Sequence, residues 1–297
     1  MKPIKYFSMF SGIGGFEHGM ELSDYEFENV GFSEIDEYAK GIYQRHYPKH
    51  INYGDATRIR TEELPDFDFL VGGFPCQSFS IAGNRQGLDD TRGTLFFEIA
   101  RILRDKKPRY FLLENVRNLL SHDKGNTFKT IIGVFSELGY TISWKICNSR
   151  DHGVPQNRER IYIVGCLGKE CGFKVLLKRR NNKKENDRRV NKGWLEVDDG
   201  MSCTTTRKGD CFAVTTRFRC RPFKKKQDNY VLDDKGLRKL TPCECEMLQG
   251  FPQGWTTLDA WGDEVSDLQR YKTIGNAVTT FVIRDIINEV FENYEEH

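Results

Sequence analysis

Short apolar-rich runs recur along this chain and alternate with stretches of helical spacing. Runs at residues 4–10, 27–32, 67–71, 110–113, 140–147 and 160–166 read as strands, those at 67–71 and 110–113 as buried ones. A further short strand is expected just before Tyr53. Between them, residues 16–22, 35–47 and 94–103 read as helices, with Pro48 and Pro108 as stops. In 126–138, Phe128, Ile131, Ile132, Phe135 and Leu138 recur at helical intervals. Strand and helix in alternation predict an α/β fold: a mostly parallel sheet flanked by helices. The pattern then breaks. Residues 200–230 hold short β-prone segments separated by turns, which predicts a smaller, irregular β-rich domain. Periodicity returns with a helix opening at Leu240-Thr241-Pro242 and ending by Phe251-Pro252. A long terminal helix is expected to open at Ile274-Gly275-Asn276-Ala277-Val278. Its apolar positions Val278, Phe281, Val282, Ile286, Ile287 and Val290 share one face, which needs the sheet of the first domain to cover it.

Charge sharpens this division. The chain of 297 residues carries a net charge of only +2. Residues 169–239, however, hold 21 Lys and Arg against 10 Asp and Glu, and the remainder holds 24 against 33. A basic insert in an acidic body is the usual electrostatic footprint of a nucleic-acid site. For residues 178–192 alone, a solvated loop is the simpler account. No apolar run reaches the 18 residues or so of a membrane span, and the first residues lack a signal-peptide core. The nine cysteines have no paired or zinc-like spacing, so a cytoplasmic, reducing setting without a metal is expected.

The candidate chemistry lies at strand ends. Phe10-Ser11-Gly12-Ile13-Gly14-Gly15 joins the first strand to the first helix, and Glu34 follows Gly14 by 20 residues. A glycine turn with an acid at that distance suits an adenosine cofactor, the acid binding ribose. Asp55 could accept from an adenine amino group or simply cap a helix. Gly72-Gly73-Phe74-Pro75-Cys76-Gln77-Ser78 leaves the sheet at the edge where α/β proteins bind ligands. Cys76 reads either as a nucleophile there or as a small buried residue. Residues 80–93 read as a lid loop. Glu114 ends a buried strand on the same edge, where burial would raise its pKa and fit it to act as an acid. Arg158 and Arg160, two apart, would share one face and suit a carbonyl, carboxylate or phosphate.

Taken with Arg92-Gly93-Thr94-Leu95-Phe96, Glu114-Asn115-Val116, Gln156-Asn157-Arg158-Glu159-Arg160, Leu248-Gln249-Gly250-Phe251-Pro252 and Gly275-Asn276-Ala277-Val278, these motifs closely resemble the DNA (cytosine-5)-methyltransferases, in family order. The resemblance covers about residues 4–166 and 238–290. It implies a Rossmann-like S-adenosylmethionine-dependent methyltransferase fold, with a catalytic domain of residues 1–168 plus 270–297 and a target-recognition domain of 169–269. It implies S-adenosyl-L-methionine as methyl donor, double-stranded DNA as substrate, base flipping and no metal. Cys76 would be the nucleophile, Glu114 would hold the cytosine at N3 and the exocyclic amine, Arg160 the ring carbonyl, and Arg158 would support the catalytic loop. Phe10, Gly12, Ile13, Gly14, Gly15, Glu34, Ile35, Asp55, Ala56, Pro75, Asn276, Ala277 and Val278 would form the cofactor site. Gln77, Ser80, Arg85, Thr204, Thr205, Thr206, Arg207, Arg217, Arg219, Lys224, Lys225 and Lys226 would meet DNA. Cys243 and Met247 stand where the family often has arginines. A monomer in a restriction–modification setting, with a companion restriction endonuclease, completes the expectation.

The residue types suit the reaction. Carbon 5 of cytosine is too weak a nucleophile until a thiolate adds at carbon 6, and cysteine can supply that thiolate near neutral pH. Three rivals share parts of the pattern. A tRNA-modifying branch of the same family would use the same motifs, and a catalytically dead DNA-binding relative would keep the fold. A nicotinamide dehydrogenase would share the glycine turn but leaves Pro75-Cys76-Gln77 unexplained.

Overall fold

The computed structural model of the chain describes residues 2–75, 95–168, 194–197, 201–205, 211–214, 230–233 and 236–292. Six strands build one sheet: β1 (Ile4–Met9), β2 (Phe27–Ser33), β3 (Phe69–Gly73), β4 (Tyr110–Val116), β5 (Tyr140–Asn148) and β6 (Glu159–Leu167), in the order β2-β1-β3-β4-β6-β5. β1 pairs in parallel with β2 and β3, and β3 with β4. β6 runs antiparallel to both β4 and β5. The chain moves outward from β1 to β2, then crosses to β3 on the other side. The strand order therefore reverses between β1 and β3, and a crevice opens outside their carboxyl ends.

A largely parallel sheet must be covered on both faces, and the strand side chains alternate accordingly. Leu70, Phe111, Leu113, Ile161 and Ile163 pack under α3 (Leu95–Lys106) and α4 (Asn126–Glu137). Phe69, Val71, Leu112, Tyr162 and Val164 pack under α1 (Gly15–Glu21) and α7 (Thr280–Phe291). The two covering helices approach closely at Gly19, where a Cβ would lie 2.5 Å from that of Ile283. A third cluster joins Ile13, Phe32 and α2 (Glu37–His46) to α5 (Pro242–Leu248), Trp255 and α6 (Asp267–Asn276). Asp36 caps α2 through the amides of Tyr38 and Ala39. Thr241 and Glu244 form a capping box at α5, with Pro242 in its first turn.

Several expectations shift. The strand before Tyr53 contracts to a single parallel bridge between Phe32 and Asn52. The terminal helix is two helices. Gly275-Asn276-Ala277-Val278 forms the joint, because Ala277 takes an extended backbone and ends α6. Phe281 is only partly buried, while Ile283 and Phe291 complete the apolar face against the sheet. The expected boundary at 269/270 lies within α6, and Leu240, Phe251 and Trp255 pack with α2. Among the described residues Cys147, Cys243 and Cys245 are free thiols.

In the basic insert, β7 (Trp194–Val197), β8 (Met201–Thr205) and β9 (Cys211–Val214) form an antiparallel sheet in the order β7-β8-β9. β10 (Tyr230–Asp233) and β11 (Gly236–Lys239) form a hairpin. Among the described residues no helix is long and apolar enough to cross a membrane.

Candidate active site

The crevice at the switch point starts with the glycine turn. Phe10, Gly12 and Gly14 have φ values of +54°, +58° and +87°, a left-handed path that glycine adopts without strain. Ser11 Oγ donates to the carbonyl and the hydroxyl of Ser8, pinning the turn to β1. Gly12 N–H donates to Glu34 Oε2 at 2.8 Å. The other Glu34 oxygen accepts the amides of Ile35 and Asp36, each at 2.8 Å. Glu34 therefore braces the turn against the end of β2. A Cβ at Gly12 would meet nothing within 4 Å, so open space lies over the turn. Ile35, 67% exposed, stands beside it.

Asp55 resolves as a cap. Its Oδ1 accepts the amide of Thr57 at 2.9 Å and the Thr57 hydroxyl at 2.8 Å, closing the short helical turn Ala56–Arg58. Those bonds hold its carboxyl below the usual range. Oδ2 lies 3.7 Å from Arg58 Nε, leaving it available to a ligand donor. Ala56 is buried beside it. The Ile13 side chain is wholly buried in the third cluster, and its carbonyl accepts Trp255 Nε1–H at 2.9 Å. Ile13 therefore meets the crevice with backbone only.

The α6–α7 joint closes the far side. A Cβ on Gly15 would lie 2.8 Å from Val278 Cγ2, so the joint rests directly on the start of α1. Ala277 and Val278 are buried and Asn276 is exposed. Arg158 Nη2 donates to the carbonyls of Ala277 at 2.8 Å and Gly275 at 3.3 Å. These bonds hold the joint; the loop that Arg158 was expected to support lies outside the described residues. Gln249 Oε1 accepts the Thr279 hydroxyl at 2.7 Å, and the Gln249 carbonyl accepts Thr280 N–H at 2.9 Å. Below them Arg270 pairs with buried Glu246 at 3.1 Å and donates to Thr256. Its Nη2 also donates to Cys243 Sγ at 3.2 Å.

Glu114 sits near the end of β4, opposite Gly73 on β3 and Tyr162 on β6. Arg160 Nε lies 3.0 Å from Glu114 Oε1. Burial raises the Glu114 pKa, and the charges of Arg160 and Arg158 hold the rise in check. The result is a buried carboxyl at the mouth of the sheet, beside a guanidinium. Asn115 turns to the other face and donates from Nδ2 to the Phe74 carbonyl at 2.8 Å, fixing the chain as it leaves β3. Pro75 is exposed at this exit. Cys76, Gln77, Ser80, Arg85 and the lid loop 80–93 lie outside the described residues, as do Thr206, Arg207, Arg217, Arg219, Lys224, Lys225 and Lys226. Thr204 and Thr205 end β8, opposite Phe212 and Cys211 of β9.

A glycine turn and a strand-end acid thus stand at the switch point of an α/β sheet, with a carboxyl–guanidinium pair two strands away. Comparison with known proteins then gives the family. The model of the C-5 cytosine-specific DNA methylases matches residues 4–206 and 178–292. A type II methyltransferase of Lactococcus lactis subsp. cremoris, M1.ScrFI, is 38% identical over 99% of this chain and 80% of its own length. M.NlaX of Neisseria lactamica is 36% identical over 97% of this chain and 96% of its own. Among solved structures, a putative DNA modification methyltransferase from an E. coli prophage has a TM-score of 0.64 at 19% identity, covering 98% of this chain and 99% of its own. The S. pombe Dnmt2 methyltransferase scores 0.67 at 19% identity, with the same coverage. At such identities these structures speak for the fold. The chain belongs to the C-5 cytosine-specific DNA methylases and is a DNA cytosine-5 methyltransferase.

Proposed function

We propose that the chain transfers a methyl group from S-adenosyl-L-methionine to carbon 5 of a cytosine flipped out of duplex DNA, through a covalent adduct between Cys76 and carbon 6. The observation that carries this reading is the Glu114–Arg160 pair at 3.0 Å. Glu114 stands opposite Gly73, three residues before Cys76. A buried carboxyl and a guanidinium side by side match N3, the exocyclic amine and the carbonyl of one cytosine edge.

The cradle fits the methyl donor. Space is open over Gly12, Glu34 sits against the turn for ribose hydroxyls, and Asp55 Oδ2 can accept from an adenine amino group. When bound, that cofactor supplies an electrophilic methyl group on a sulfonium. Gly12 lets it lie against the backbone, and Val278, seated on Gly15 by Arg158 and Gln249, closes the pocket. Cys76 adds its thiolate to carbon 6 and makes carbon 5 nucleophilic. Glu114 gives N3 a hydrogen bond as charge develops on the ring, and Arg160 orients the ring carbonyl. After methylation a base takes the carbon 5 proton, and elimination frees Cys76.

The insert supplies target recognition. Thr204, Thr205, Thr206, Arg207, Arg217 and Arg219 would reach base edges, and Lys224, Lys225 and Lys226 phosphates. The packing of Leu240, Phe251 and Trp255 with α2 supports ending this domain at about residue 239, ahead of Leu240. The protein would act as a monomer. The type II names of the relatives support a restriction–modification setting with a companion endonuclease. The orphan methyltransferase of Bacillus phage rho11s, 52% identical over 56% of this chain, supports action without one. The test is tritiated methyl transfer to duplex DNA and to tRNA, followed by bisulfite sequencing. Label at cytosines of one DNA motif is expected. Label in tRNA alone would assign the RNA-modifying branch, and no label in either would assign a dead relative.

A further inference from the structure

The proposed reaction leaves a second carboxyl–guanidinium pair at the mouth of the sheet without a task. Arg117 follows β4 directly, and its Nη1 donates to Glu159 Oε2 at the start of β6. Val116 and Arg160 form the last rung of the β4–β6 ladder, so Arg117 and Glu159 stand where the next rung would fall. On the β5 side Asn148 lies opposite Glu159 and donates to Asn157, a neutral amide pair. Arg117 is three residues past Glu114, at most about 10 Å along the chain. The side chains of Arg117 and Glu159 are 60% and 40% exposed, against 21% and 12% for Arg160 and Glu114. One pair is sunk into the site, and the other lies at its rim.

The rim pair is a poor structural device, because an exposed ion pair gains little over water and is screened by salt. Its position gives it another use. The two neighbouring arginines are committed: Arg158 holds the carbonyls of Gly275 and Ala277, and Arg160 bonds Glu114 and the Glu159 carbonyl. Arg117 keeps most of its guanidinium in solvent, with a carboxylate on one nitrogen. A cytosine that reaches the Glu114–Arg160 pair stays attached to its strand, with a phosphodiester on either side. An arginine fork matches phosphate oxygens as well as carboxylate oxygens, and phosphate contacts fix a protein's register on a duplex.

We propose that Arg117 binds a phosphate next to the flipped nucleotide, and that Glu159 occupies its guanidinium until that phosphate arrives. This rests on the reading that the cytosine enters at the Glu114–Arg160 pair. Seating the base brings the phosphate to Arg117, which exchanges the Glu159 carboxylate for it. On DNA with no base flipped the exchange does not occur, and the Glu159 charge repels the backbone. The pair therefore adds affinity to the flipped complex alone. Arg117 and Glu159 are positioning residues and touch no reacting atom.

The test is fluorescence anisotropy of the full chain with two labelled duplexes over a salt series. One carries the motif that bisulfite sequencing identifies, and the other an unrelated sequence. Arg117→Gln should weaken binding of the motif duplex about tenfold and lower the slope of log affinity against log salt by about 0.9. The unrelated duplex should show neither change. Glu159→Gln should tighten both duplexes, since no carboxylate then competes or repels. Urea unfolding midpoints equal to the parent's show that both variants fold. A slope unchanged on the motif duplex would overturn the proposal, as would equal losses on both duplexes, which mark a general surface charge. An unchanged slope while Glu114→Gln abolishes methyl transfer sinks this inference alone. Methyl transfer that survives in Glu114→Gln, or a parent protein that methylates no duplex motif, sinks the pocket reading and the inference with it.

Discussion

Glutamine at position 17 should make the protein more stable at pH 8.5 and change little at acid pH. The Glu17 carboxyl in α1 has its pKa raised from 4.5 to about 7 by burial. Below pH 4.5 both folded and unfolded chains hold the proton, so the group has no effect on stability. Between 4.5 and 7 the folded chain keeps a proton that the unfolded chain has lost, and stability falls as pH rises. Above 7 the folded chain carries the whole cost of the buried charge, about 3 kcal/mol for a rise of that size. Glu17→Gln keeps the shape and an acceptor for the Tyr43 hydroxyl but removes the ionisation. Urea unfolding of parent and variant, without cofactor, at pH 5 and pH 8.5 isolates the effect, because other titrating groups cancel in the difference. The variant's advantage should grow by about 2–3 kcal/mol between those pH values. A difference that stays flat with pH would refute the reasoning, since it would mean that Glu17 titrates alike in the folded and unfolded chains.

Three other substitutions test the scaffold of the site. Arg270→Met leaves Glu246 buried without its cation and should cost about 3–5 kcal/mol in urea unfolding; adding Glu246→Gln should recover part of that loss. Gly19→Ala places a Cβ 2.5 Å from that of Ile283, and the strain between α1 and α7 should lower stability by about 1–3 kcal/mol. Asp55→Ala removes the cap on Thr57, costing about 1 kcal/mol, and should also weaken S-adenosylmethionine binding in calorimetry. Unaltered affinity would confine Asp55 to capping.

Much of this architecture is legible along the chain because a sheet covered on both faces needs continuous apolar strands. Residues 67–71 and 110–113 announce β3 and β4 for that reason, and the alternate burial of Phe69 and Leu70 follows from strand geometry. What could not be read are features set by distant partners. Gly275-Asn276-Ala277-Val278 has helical neighbours on both sides, and only the carbonyls taken by Arg158, together with Gln249 and Thr279, show it as a joint. The strand before Tyr53 has β-prone residues but finds a partner only at Phe32. Asn115 stood inside a recognised motif, yet its task depends on the Phe74 carbonyl, 41 residues away in sequence. Glu17 carried no sequence signal at all, since a glutamate early in a helix is usually a solvated one favoured by the dipole. Its burial emerges only once Tyr43, Tyr6 and β1 close around it.

The central claim is that Cys76 attacks carbon 6 of a flipped cytosine, and one measurement addresses it directly. Turnover requires the carbon 5 proton to leave, and fluorine in its place cannot leave as a cation. Incubating the protein with S-adenosylmethionine and a duplex carrying 5-fluorocytosine at the target position should therefore give a denaturant-resistant protein–DNA complex. Peptide mass mapping should place the link at Cys76, and Cys76→Ser should form no such complex while still binding DNA. A complex that forms equally well with Cys76→Ser, or a link that maps to another of the nine cysteines, would contradict the account.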